Sequence, residues 1–555
     1  MESRDAFALS AGVGVVDWFA PETLAKFTQP DAYPSDPTAQ RGAARIQTHL
    51  SHLFLTEGRV YKLRKPVDLG FVDFTTREER NADCVREVLL NRRLAPDVYL
   101  GVAPLVTDGR KCWTGPISES ANFGSGAPEH FVVMRRLRDN RDSLSLLRKG
   151  ILSEAQIDRV ARRIANFHER NHLGTPAPFA TAEWYARCVG PVEDCFDALF
   201  AASEDGELRE QLAETADVMR AFAKRHAQRF EGRRLAGRAV DGHGDLHLQH
   251  IWFENDDSDP VIIDCMEFSE ELRQIDTASE VAFTAMDLRY RDQRVLADRF
   301  LRTYASERDD FDLYAVVDYF IAYRALVRAK VAAITSVDAS INSGQRSRAA
   351  ASAGHHLELA AEVMGSGPQG SLVLVCGVVG TGKSTVADVL AEQLGGVVIS
   401  SDRVRKQLAD LPPSSRVRAL PDEGFYAPDA VERTYLALFE RARPIVDSGR
   451  VAILDATFSR RHHRAMAADL AAELGVGQRM IEVRCAHEIA RGRLARREAE
   501  GASASDAGPA FYERSVARFE PVEESERAQV VRTDIDGWRG SLESLIRDPS
   551  FGGSD

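Results

Sequence analysis

Apolar and polar positions alternate along the first part of the chain in the way that β-strands require. Residues 52–55 and 59–63 carry this period of two on either side of a glycine-containing turn, which predicts a β-hairpin. A charged segment over residues 78–94 predicts a helix, and the apolar run 131–134 predicts another strand. From Leu147 onward the period changes to that of long amphipathic helices.

Further along, a strand-like pair within residues 240–267 interrupts these helices. A helical pattern over residues 348–363 then runs into the segment 365–370, whose glycine, serine and proline content is typical of a flexible linker. The small residues of 501–509 predict a loop tip. The pattern therefore predicts an irregular lead-in over 1–40, a first domain over 41–365, a linker over 366–370 and a second domain over 371–555.

One short motif just after the linker has specific chemistry. Gly377-Val378-Val379-Gly380-Thr381-Gly382-Lys383-Ser384 fits the phosphate-binding pattern G-x-x-x-x-G-K-[ST], with an apolar strand before it and a helical segment after it. Its backbone N–H groups can close on phosphates, Lys383 can reach the β- and γ-phosphates, and Ser384 can bind Mg²⁺. The predicted nucleotide contacts are Gly377, Gly380, Thr381, Gly382, Lys383, Ser384 and Thr385.

A second group of chemically distinctive residues lies within the first domain. The loop His243-Gly244-Asp245 is followed by an apolar run that ends in Asp264. In kinase-like chemistry, a base in H-x-D accepts a hydroxyl proton, and an Asp after the next strand holds Mg²⁺. Asp245 and Asp264 fit these roles, although His-Gly-Asp is also a good turn sequence.

A strand lysine and a helix glutamate upstream support the same interpretation. Lys62 lies in the strand 59–63, and Glu87 lies in the helix that follows, as expected of a lysine that pairs with nucleotide phosphates and its carboxylate partner. Lys65 is a competing choice, and either lysine could instead be an exposed strand residue.

Composition narrows the class of protein. The 555 residues carry a net charge of −13, which argues against broad electrostatic attraction to nucleic acid or anionic membrane. The seven cysteines are scattered and form no CxxC pair, so we expect reduced thiols rather than disulfides or a structural zinc site. No run predicts a membrane span and the N-terminus has no secretion-signal pattern, so we expect a cytoplasmic protein.

These motifs resemble two known families. Residues from about 40 to 365 resemble the aminoglycoside phosphotransferase family through Val60-Tyr61-Lys62, His243-Gly244-Asp245-Leu246-His247 and Asp264. Residues 371–555 resemble small P-loop kinases of the polynucleotide kinase, gluconate kinase and zeta-toxin type, and the whole chain is similar to bacterial fused aminoglycoside phosphotransferase/ATP-binding proteins. The resemblance implies an N-terminal α+β bilobal protein-kinase-like fold, a C-terminal α/β P-loop kinase with a parallel sheet, and ATP and Mg²⁺ as cofactors.

The upstream motif departs from its family at one position. The family pattern has an Asn as a second Mg²⁺ ligand where this chain has His250. Because imidazole is a poor ligand for Mg²⁺ among oxygen ligands, three interpretations stay open. The metal is held weakly with His250, or Gln249 substitutes for it, or the site is degraded.

In the second domain, two strand ends carry acids. Asp402 follows the apolar run 397–399 and has Arg405 three residues on, which resembles the base and substrate-binding Arg of polynucleotide and small-molecule kinases. Asp455 ends the apolar run 451–454 and fits a Walker B-like metal ligand, with Thr457 and Arg461 in the next turn. Asp455 could alternatively cap the following helix.

A cluster of arginines completes the predicted downstream site. The residues are Arg491, Arg493, Arg496 and Arg497. Helical spacing places Arg493 on one face with Arg496 or Arg497, which suits a lid that brings positive charge to the transferred phosphoryl group. A solvated basic face is the alternative.

Three classes of function follow from these residues. The first is a phosphotransferase with two nucleotide sites that acts on a hydroxyl of a sugar, aminocyclitol or nucleoside. The second is a polynucleotide 5′-hydroxyl kinase, which the acidic balance makes less favourable. The third is a regulatory protein with a degraded upstream site. We predict the first, with a small-molecule acceptor, no membrane partner, and an acceptor identity and oligomeric state that the sequence leaves open.

Overall fold

The computed structural model describes the chain between residues 18 and 547, except for short stretches. The stretches left out are residues 69, 71, 122, 124, 125, 204, 339, 340, 366, 368, 413, 414, 416–426 and 501–508. Residues 501–508 of the predicted loop tip and part of the predicted linker lie outside the described residues, and Pro509 begins a helix. The chain divides into two compact units, one of Met1–Gln156 with Asp241–Ile275 and one of Ile157–Val240 with Asp276–Asp555.

The first unit is built on an antiparallel sheet of six strands. Its elements up to residue 148 are α1 (Pro21–Lys26), β1 (Ala44–Gln47), β2 (Ser51–Leu55), β3 (Arg59–Arg64), α2 (Arg77–Asn91), β4 (Tyr99–Thr107), β5 (Cys112–Thr114), β6 (His130–Arg135) and α3 (Ser143–Arg148). The strand order is β1-β2-β3-β6-β4-β5, and every neighbouring pair is antiparallel. The predicted hairpin is confirmed as β2 and β3, with Leu53 opposite Lys62.

Aromatic side chains form the core on one face of this sheet. The Phe131 ring lies 5.2 Å from Phe27 and 5.8 Å from both Phe54 and Tyr61, in edge-to-face arrangements that aromatic rings favour. Phe27 belongs to the segment for which proline-rich composition predicts an irregular lead-in. The described part of that segment consists mostly of turns, with the short helix α1 among them, and it buries Phe27 completely. Burial of a large apolar side chain is favourable in irregular chain as well as in a regular element.

Helices dominate the middle of the chain, as the hydrophobic period predicts. In chain order the elements are α4 (Glu154–Arg170), α5 (Thr181–Ala202), α6 (Gly206–Arg225), α7 (Ala227–Leu235), β7 (Ala239–Asp241), β8 (Ile251–Trp252), β9 (Val261–Ile262), β10 (Gln274–Asp276), α8 (Thr277–Arg289), α9 (Arg294–Arg308), α10 (Val317–Val337) and α11 (Ser343–Met364). The short strands β8 and β9 pair antiparallel and place the loop after His243 beside Asp264 in the first unit.

A fully buried arginine organises the helices of the second unit. Arg233 donates to Asp276 at 2.7 Å and to Asp310 at 2.7 Å, and all three side chains are inaccessible to solvent. Asp276 also caps α8 by accepting from the backbone N–H of Ala278. A buried charge of this kind is stable only because every partner is present.

The rest of the second unit contains a parallel five-stranded sheet between helices. Its elements are β11 (Ser371–Cys376), α12 (Lys383–Leu394), β12 (Val397–Ser400), α13 (Ser401–Gln407), α14 (Pro428–Asp447), β13 (Val451–Asp455), α15 (Arg461–Leu474), β14 (Gly477–Arg484), α16 (His487–Glu500), α17 (Pro509–Arg518), β15 (Gln529–Arg532) and α18 (Trp538–Arg547). The strand order is β12-β13-β11-β14-β15, which confirms the predicted parallel sheet. Because β12, β13 and β11 are adjacent and parallel, their carboxyl ends meet at one edge.

Within the second unit, α9, α10 and the turn between them pack on this α/β region. Arg450 makes a bidentate ion pair with Asp318 at 2.7 and 2.8 Å, and Arg441 pairs with Asp309 at the end of α9. The boundary predicted at 366–370 remains a prediction. None of the described helices combines the length and apolarity needed to cross a membrane.

Candidate functional sites

In the first unit, a lysine, a glutamate and an aspartate from three distant parts of the sequence meet. The Nζ atom of Lys62 on β3 donates to Glu87 Oε1 on α2 at 2.9 Å and to Asp264 Oδ1 at 3.1 Å. Although burial lowers the pKa of Lys62, the charges of Asp264 and Glu87 outweigh it and raise that pKa, which keeps the lysine charged. The competing Lys65 instead donates to the backbone carbonyl of Thr48. The structure thus brings Lys62, and not Lys65, to the predicted partners.

The loop that contains Asp245 is held by histidines. His243 is fully buried, with Nε2 2.9 Å from the Ile263 carbonyl and Nδ1 accepting from the Asp245 N–H at 3.3 Å. Asp245 Oδ2 lies 3.5 Å from both His247 Nε2 and His250 Nδ1. Burial raises the pKa of Asp245, but the neighbouring imidazoles, His247 first, more than offset it and hold the pKa well below its usual value. Asp245 is therefore ionised, as a proton acceptor must be.

His250 presents one nitrogen to the predicted metal position. Its Nδ1 lies 2.9 Å from the carbonyl oxygen of Asp245, and because a carbonyl only accepts, Nδ1 carries the hydrogen. Burial lowers the pKa of His250, so the imidazole is neutral near pH 7 and its Nε2 has a lone pair. Nε2 lies 3.4 Å from Asp264 Oδ2. The side chain of Gln249, the alternative ligand, is exposed at the surface.

These donors can be tested against the magnesium ion that the family implies. Mg²⁺ strongly prefers oxygen ligands, whereas imidazole suits transition metals. One nitrogen or oxygen atom from each of Asp245, His247 and His250 lies within 4.8 Å of the others, and Asp264 Oδ2 lies 3.4 Å from His250 Nε2. Two imidazoles therefore accompany the two carboxylates. The upstream residues therefore fit Mg²⁺ poorly.

A buried network behind Lys62 escaped the sequence reasoning. Arg64, two residues along the same strand, bonds to Asp83 at 2.7 Å, to Glu87 at 2.7 Å and to Glu267. Burial raises the pKa of Glu267 to about 8, although Arg64 opposes that shift. Arg64 thus fixes Glu87, which in turn positions Lys62. Because residues i and i+2 of a strand point to the same face, the sequence could have indicated that Arg64 lies beside Lys62.

The phosphate-binding loop of the second unit has the backbone that its glycines predict. Gly380 and Gly382 have φ values of 80° and 92°, which favour glycine. A Cβ atom on Gly377 would lie 2.4 Å from the Val483 carbonyl oxygen, and one on Gly380 would lie 2.9 Å from that of Ala490. These positions therefore need glycine both for conformation and for space.

One side chain of this loop bonds to the end of β13, and the next one bonds back to the loop. Ser384 Oγ donates to Asp455 Oδ2 at 2.7 Å, and Lys383 Nζ donates to the Val378 carbonyl at 2.9 Å. Burial raises the pKa of Asp455 to about 6, partly opposed by Lys383 and by the bond from Ser384. A hydroxyl and a carboxylate side by side are hard oxygen donors, so this pair fits the Mg²⁺ that P-loop kinases use.

A cavity of about 1210 Å³ opens over these residues. Lys383, Ser384, Asp402, Arg405 and Asp455 all line it, so the structure brings together the main predicted downstream residues. Asp402 and Arg405 are joined by an ion pair of 2.8 Å. Pockets for single small ligands commonly measure about 300–1,000 Å³. The volume is therefore sufficient for a nucleotide and a second small molecule.

Other predicted residues lie elsewhere. Arg493 bonds to the Thr533 carbonyl and hydroxyl at 2.9 Å and approaches the Thr381 carbonyl, so it packs behind the loop, while Arg497 lines the cavity. Arg461 pairs with Glu523. Thr385 is exposed on α12, and it is not one of the described residues that line the cavity. These bonds hold the Arg493 guanidinium on the loop backbone, which does not suit a lid residue.

Two family models match different parts of the chain. Residues 116–317 match a family model described as the phosphotransferase enzyme family, and residues 372–522 match one described as an AAA domain. Among structures, a choline kinase from Cryptosporidium parvum Iowa II is 12% identical, with 61% of this chain and 95% of that chain covered and a TM-score of 0.38. A gluconokinase from Sinorhizobium meliloti 1021 is 18% identical, with 34% and 100% covered and a TM-score of 0.24. We draw no conclusion on activity from likenesses at these scores.

Sequence relatives cover most of the chain. Uncharacterized proteins from Mycobacterium bovis and from Mycobacterium tuberculosis strain CDC 1551 are each 34% identical over 453 residues, which span 80% of this chain and 83% of each relative. The chain therefore belongs to the same family as these mycobacterial proteins, and in this chain an aminoglycoside phosphotransferase-like region precedes a P-loop kinase domain.

Proposed function

We propose that this protein is an ATP-dependent phosphotransferase whose downstream site moves the γ-phosphoryl group to a hydroxyl of a small molecule. The acceptor class is a sugar, aminocyclitol or nucleoside. The observation that carries the proposal is the convergence, in one cavity, of Lys383 and Ser384 on the phosphate loop with Asp402 and Asp455 on two strand ends. Phosphoryl transfer depends mainly on positioning and charge stabilisation, and this arrangement supplies both.

Each residue has a distinct task in the proposed reaction. Ser384 and Asp455 would hold Mg²⁺, which would neutralise negative charge on the phosphates of ATP, the donor of the phosphoryl group. Lys383 stabilises negative charge on the β- and γ-phosphates, and Asp402 accepts the proton of the attacking hydroxyl. The bond between the γ-phosphorus and the β-bridging oxygen breaks as the acceptor oxygen bonds to phosphorus, so ADP leaves.

The upstream residues support a second nucleotide site. Lys62, fixed by Glu87, would pair with nucleotide phosphates, and Asp245 would serve as the base. His250 makes a regulatory nucleotide-binding role the alternative for this site, because the ligand set departs from that of an active phosphotransferase. The two roles differ in whether phosphorylated product appears when the downstream site is inactive.

The test follows the label of the γ-phosphate. The full-length protein is incubated with a metabolite pool and ATP carrying ¹⁸O in the γ-phosphate, and products are identified by mass spectrometry. Lys383→Ala is compared with Lys224→Ala, which alters an exposed lysine on α6.

We expect labelled products from the wild type and Lys224→Ala, and at least a roughly hundredfold loss in Lys383→Ala. No labelled product from the wild type contradicts the activity. Equal product from Lys383→Ala contradicts the downstream assignment and places the reaction upstream.

A further inference from the structure

One wall of the downstream cavity comes from far upstream in the sequence. Residues of α4 and α9 line it together with the phosphate loop, although α10 and α11 both separate α9 from that loop along the chain. Helix α9 packs beside β12. Because α13, which carries Asp402, begins directly after β12, α9 lies on the side of the cavity where the acceptor hydroxyl would meet its base.

Polar contacts fix α9 against α13. Arg403 donates to the Ser306 carbonyl at 3.3 Å and pairs with Glu307 at 3.0 Å. Gln407 donates to the same Ser306 carbonyl at 3.1 Å. Since the residues next to Asp402 thus bind the last turn of α9 directly, this wall and the proposed base are held in one arrangement.

Most charges on this wall neutralise one another. Arg299 on α9 makes a bidentate pair with Asp158 on α4 at 2.8 and 3.0 Å, and Thr303 donates to the same carboxylate at 2.9 Å. Arg299 also lies 3.3 Å from Glu392. These pairs form a fixed scaffold and leave little charge for a ligand.

Two arginines of the wall are held less closely. Arg302 is 4.0 Å from Glu392, and Arg299 lies closer to that carboxylate. Arg162 is 3.5 Å from Glu307, and Arg403 lies closer to that one. Both line the cavity, Arg302 with 14% and Arg162 with 52% of its side chain exposed. At such distances an additional anion can bind the guanidinium groups by charge-assisted hydrogen bonds.

One further acid lies on this side. Asp388 on α12 also lines the cavity, and burial raises the pKa of its carboxyl. Among the described residues on this side, five arginines therefore face four carboxylates that already have a close arginine, and Asp388. The five arginines are Arg162, Arg299, Arg302, Arg403 and Arg405, and the four carboxylates are Asp158, Glu307, Glu392 and Asp402.

We propose that α4 and α9 form the acceptor wall of the P-loop kinase, and that Arg302 and Arg162 hold an anionic group of a hydroxylated acceptor whose hydroxyl faces Asp402. The group is a carboxylate or a phosphate, both of which a guanidinium binds through two oxygens. This inference rests on the proposed function and narrows its acceptor to anionic hydroxyl compounds. It also makes the upstream helices part of the downstream site.

The test uses the full-length protein with its nucleotide position filled by Mg²⁺ and a non-hydrolysable ATP analogue. Binding of gluconate, glycerol 3-phosphate and neutral glucose is measured by saturation-transfer NMR titration, which detects weak ligands. Arg302→Gln and Arg162→Gln are compared with Arg220→Gln, an exposed arginine on α6 that pairs with Glu193. Thermal unfolding checks that each variant is folded. If the more buried Arg302 does not tolerate substitution, Arg162→Gln provides the test.

We expect at least one anionic probe to bind, and Arg302→Gln or Arg162→Gln to weaken it about tenfold while Arg220→Gln leaves it unchanged. Preference for gluconate or for glycerol 3-phosphate distinguishes a carboxylate from a phosphate. Equal binding by all variants, preference for glucose, or no binding of either anion overturns the inference.

Labelled transfer by the same protein is measured separately. If labelled transfer occurs but neither arginine substitution weakens binding of the anionic probe, the proposed function stands and the acceptor wall is rejected. The arginine effect without any transfer supports the wall and rejects the activity.

Discussion

The Nε2 atom of His250 lies 3.4 Å from the Oδ2 atom of Asp264, while its Nδ1 atom bonds to the Asp245 carbonyl. Two electron-rich atoms at this separation suit a shared cation. Ligand bonds of about 2.0–2.2 Å to a transition metal such as zinc would span such a gap at a near-tetrahedral angle. The relationship bears directly on which metal supports the upstream site.

We expect Mn²⁺ to support nucleotide binding at the upstream site better than Mg²⁺ does, because imidazole is a better ligand for transition metals. His250→Asn should reverse this preference by replacing a nitrogen ligand with an amide oxygen, and Asp264→Ala should abolish metal-dependent binding. The measurement is calorimetric titration of the nucleotide in a full-length Lys383→Ala background, which removes the downstream signal.

The control for that experiment is His49→Asn, which alters an exposed histidine in the same unit. It should leave the metal preference unchanged. If neither metal supports nucleotide binding in any of these forms, the upstream residues are not a nucleotide site.

Asp402→Asn should retain nucleotide binding and lower phosphoryl transfer by about 10²–10⁴-fold, because the amide keeps the shape but cannot accept the hydroxyl proton. Single-turnover transfer and calorimetric ATP affinity separate the two effects. Asp410→Asn, at an exposed position after α13, is the matched control. Loss of nucleotide affinity in Asp402→Asn would instead assign Asp402 to the metal ligands.

Arg233→Met should lower the free energy of unfolding by about 3–5 kcal/mol, because it leaves Asp276 and Asp310 buried without their counter-charge. Arg443→Met breaks a partly exposed pair with Glu473 and should cost about 1 kcal/mol or less. Urea unfolding followed by circular dichroism measures both. Equal effects of the two substitutions would show that the buried cluster contributes no special stability.

Acid should destabilise the second unit through His168. Burial lowers the folded pKa of His168 to about 3, whereas an unfolded histidine titrates near pH 6.5. The unfolded state therefore binds the proton first, and stability falls as pH drops below about 6.5, by up to about 1.4 kcal/mol per pH unit.

Two variants isolate this contribution. Tyr304→Phe removes the 2.7 Å bond to His168 but leaves the His168 imidazole able to titrate. The slope of the free energy of unfolding against pH between pH 7 and 5 should therefore persist. His168→Leu should flatten that slope although it lowers stability at pH 7. Unfolding free energies at several pH values measure the difference, and equal slopes in the two variants would exclude His168 as the source.

The sequence by itself determined the parts of this protein that depend on neighbouring residues. Gly377, Gly380, Lys383 and Ser384 act within one loop, where backbone freedom and spacing fix the geometry locally. The apolar runs on either side predicted single strands, and the resemblance to P-loop kinases implied that the strands form a parallel sheet. The hairpin that carries Lys62 was predictable for the same reason.

Tertiary structure alone decided which distant side chains meet. Lys62 rather than Lys65 reaches Glu87, because alternate strand residues point to opposite faces and Arg64 fixes the glutamate from the same face as Lys62. Arg493 packs on the loop backbone rather than over the cavity because Thr533 binds it.

The wall formed by α4 and α9 had no sequence signal at all. Its charges lie on ordinary amphipathic helices, and no local pattern records that Ser306 accepts bonds from Arg403 and Gln407, which follow it by 97 and 101 residues. Such contacts arise only when packing brings the helices to the sheet edge, so the sequence indicated the chemistry of the phosphate site and the fold determined what surrounds it.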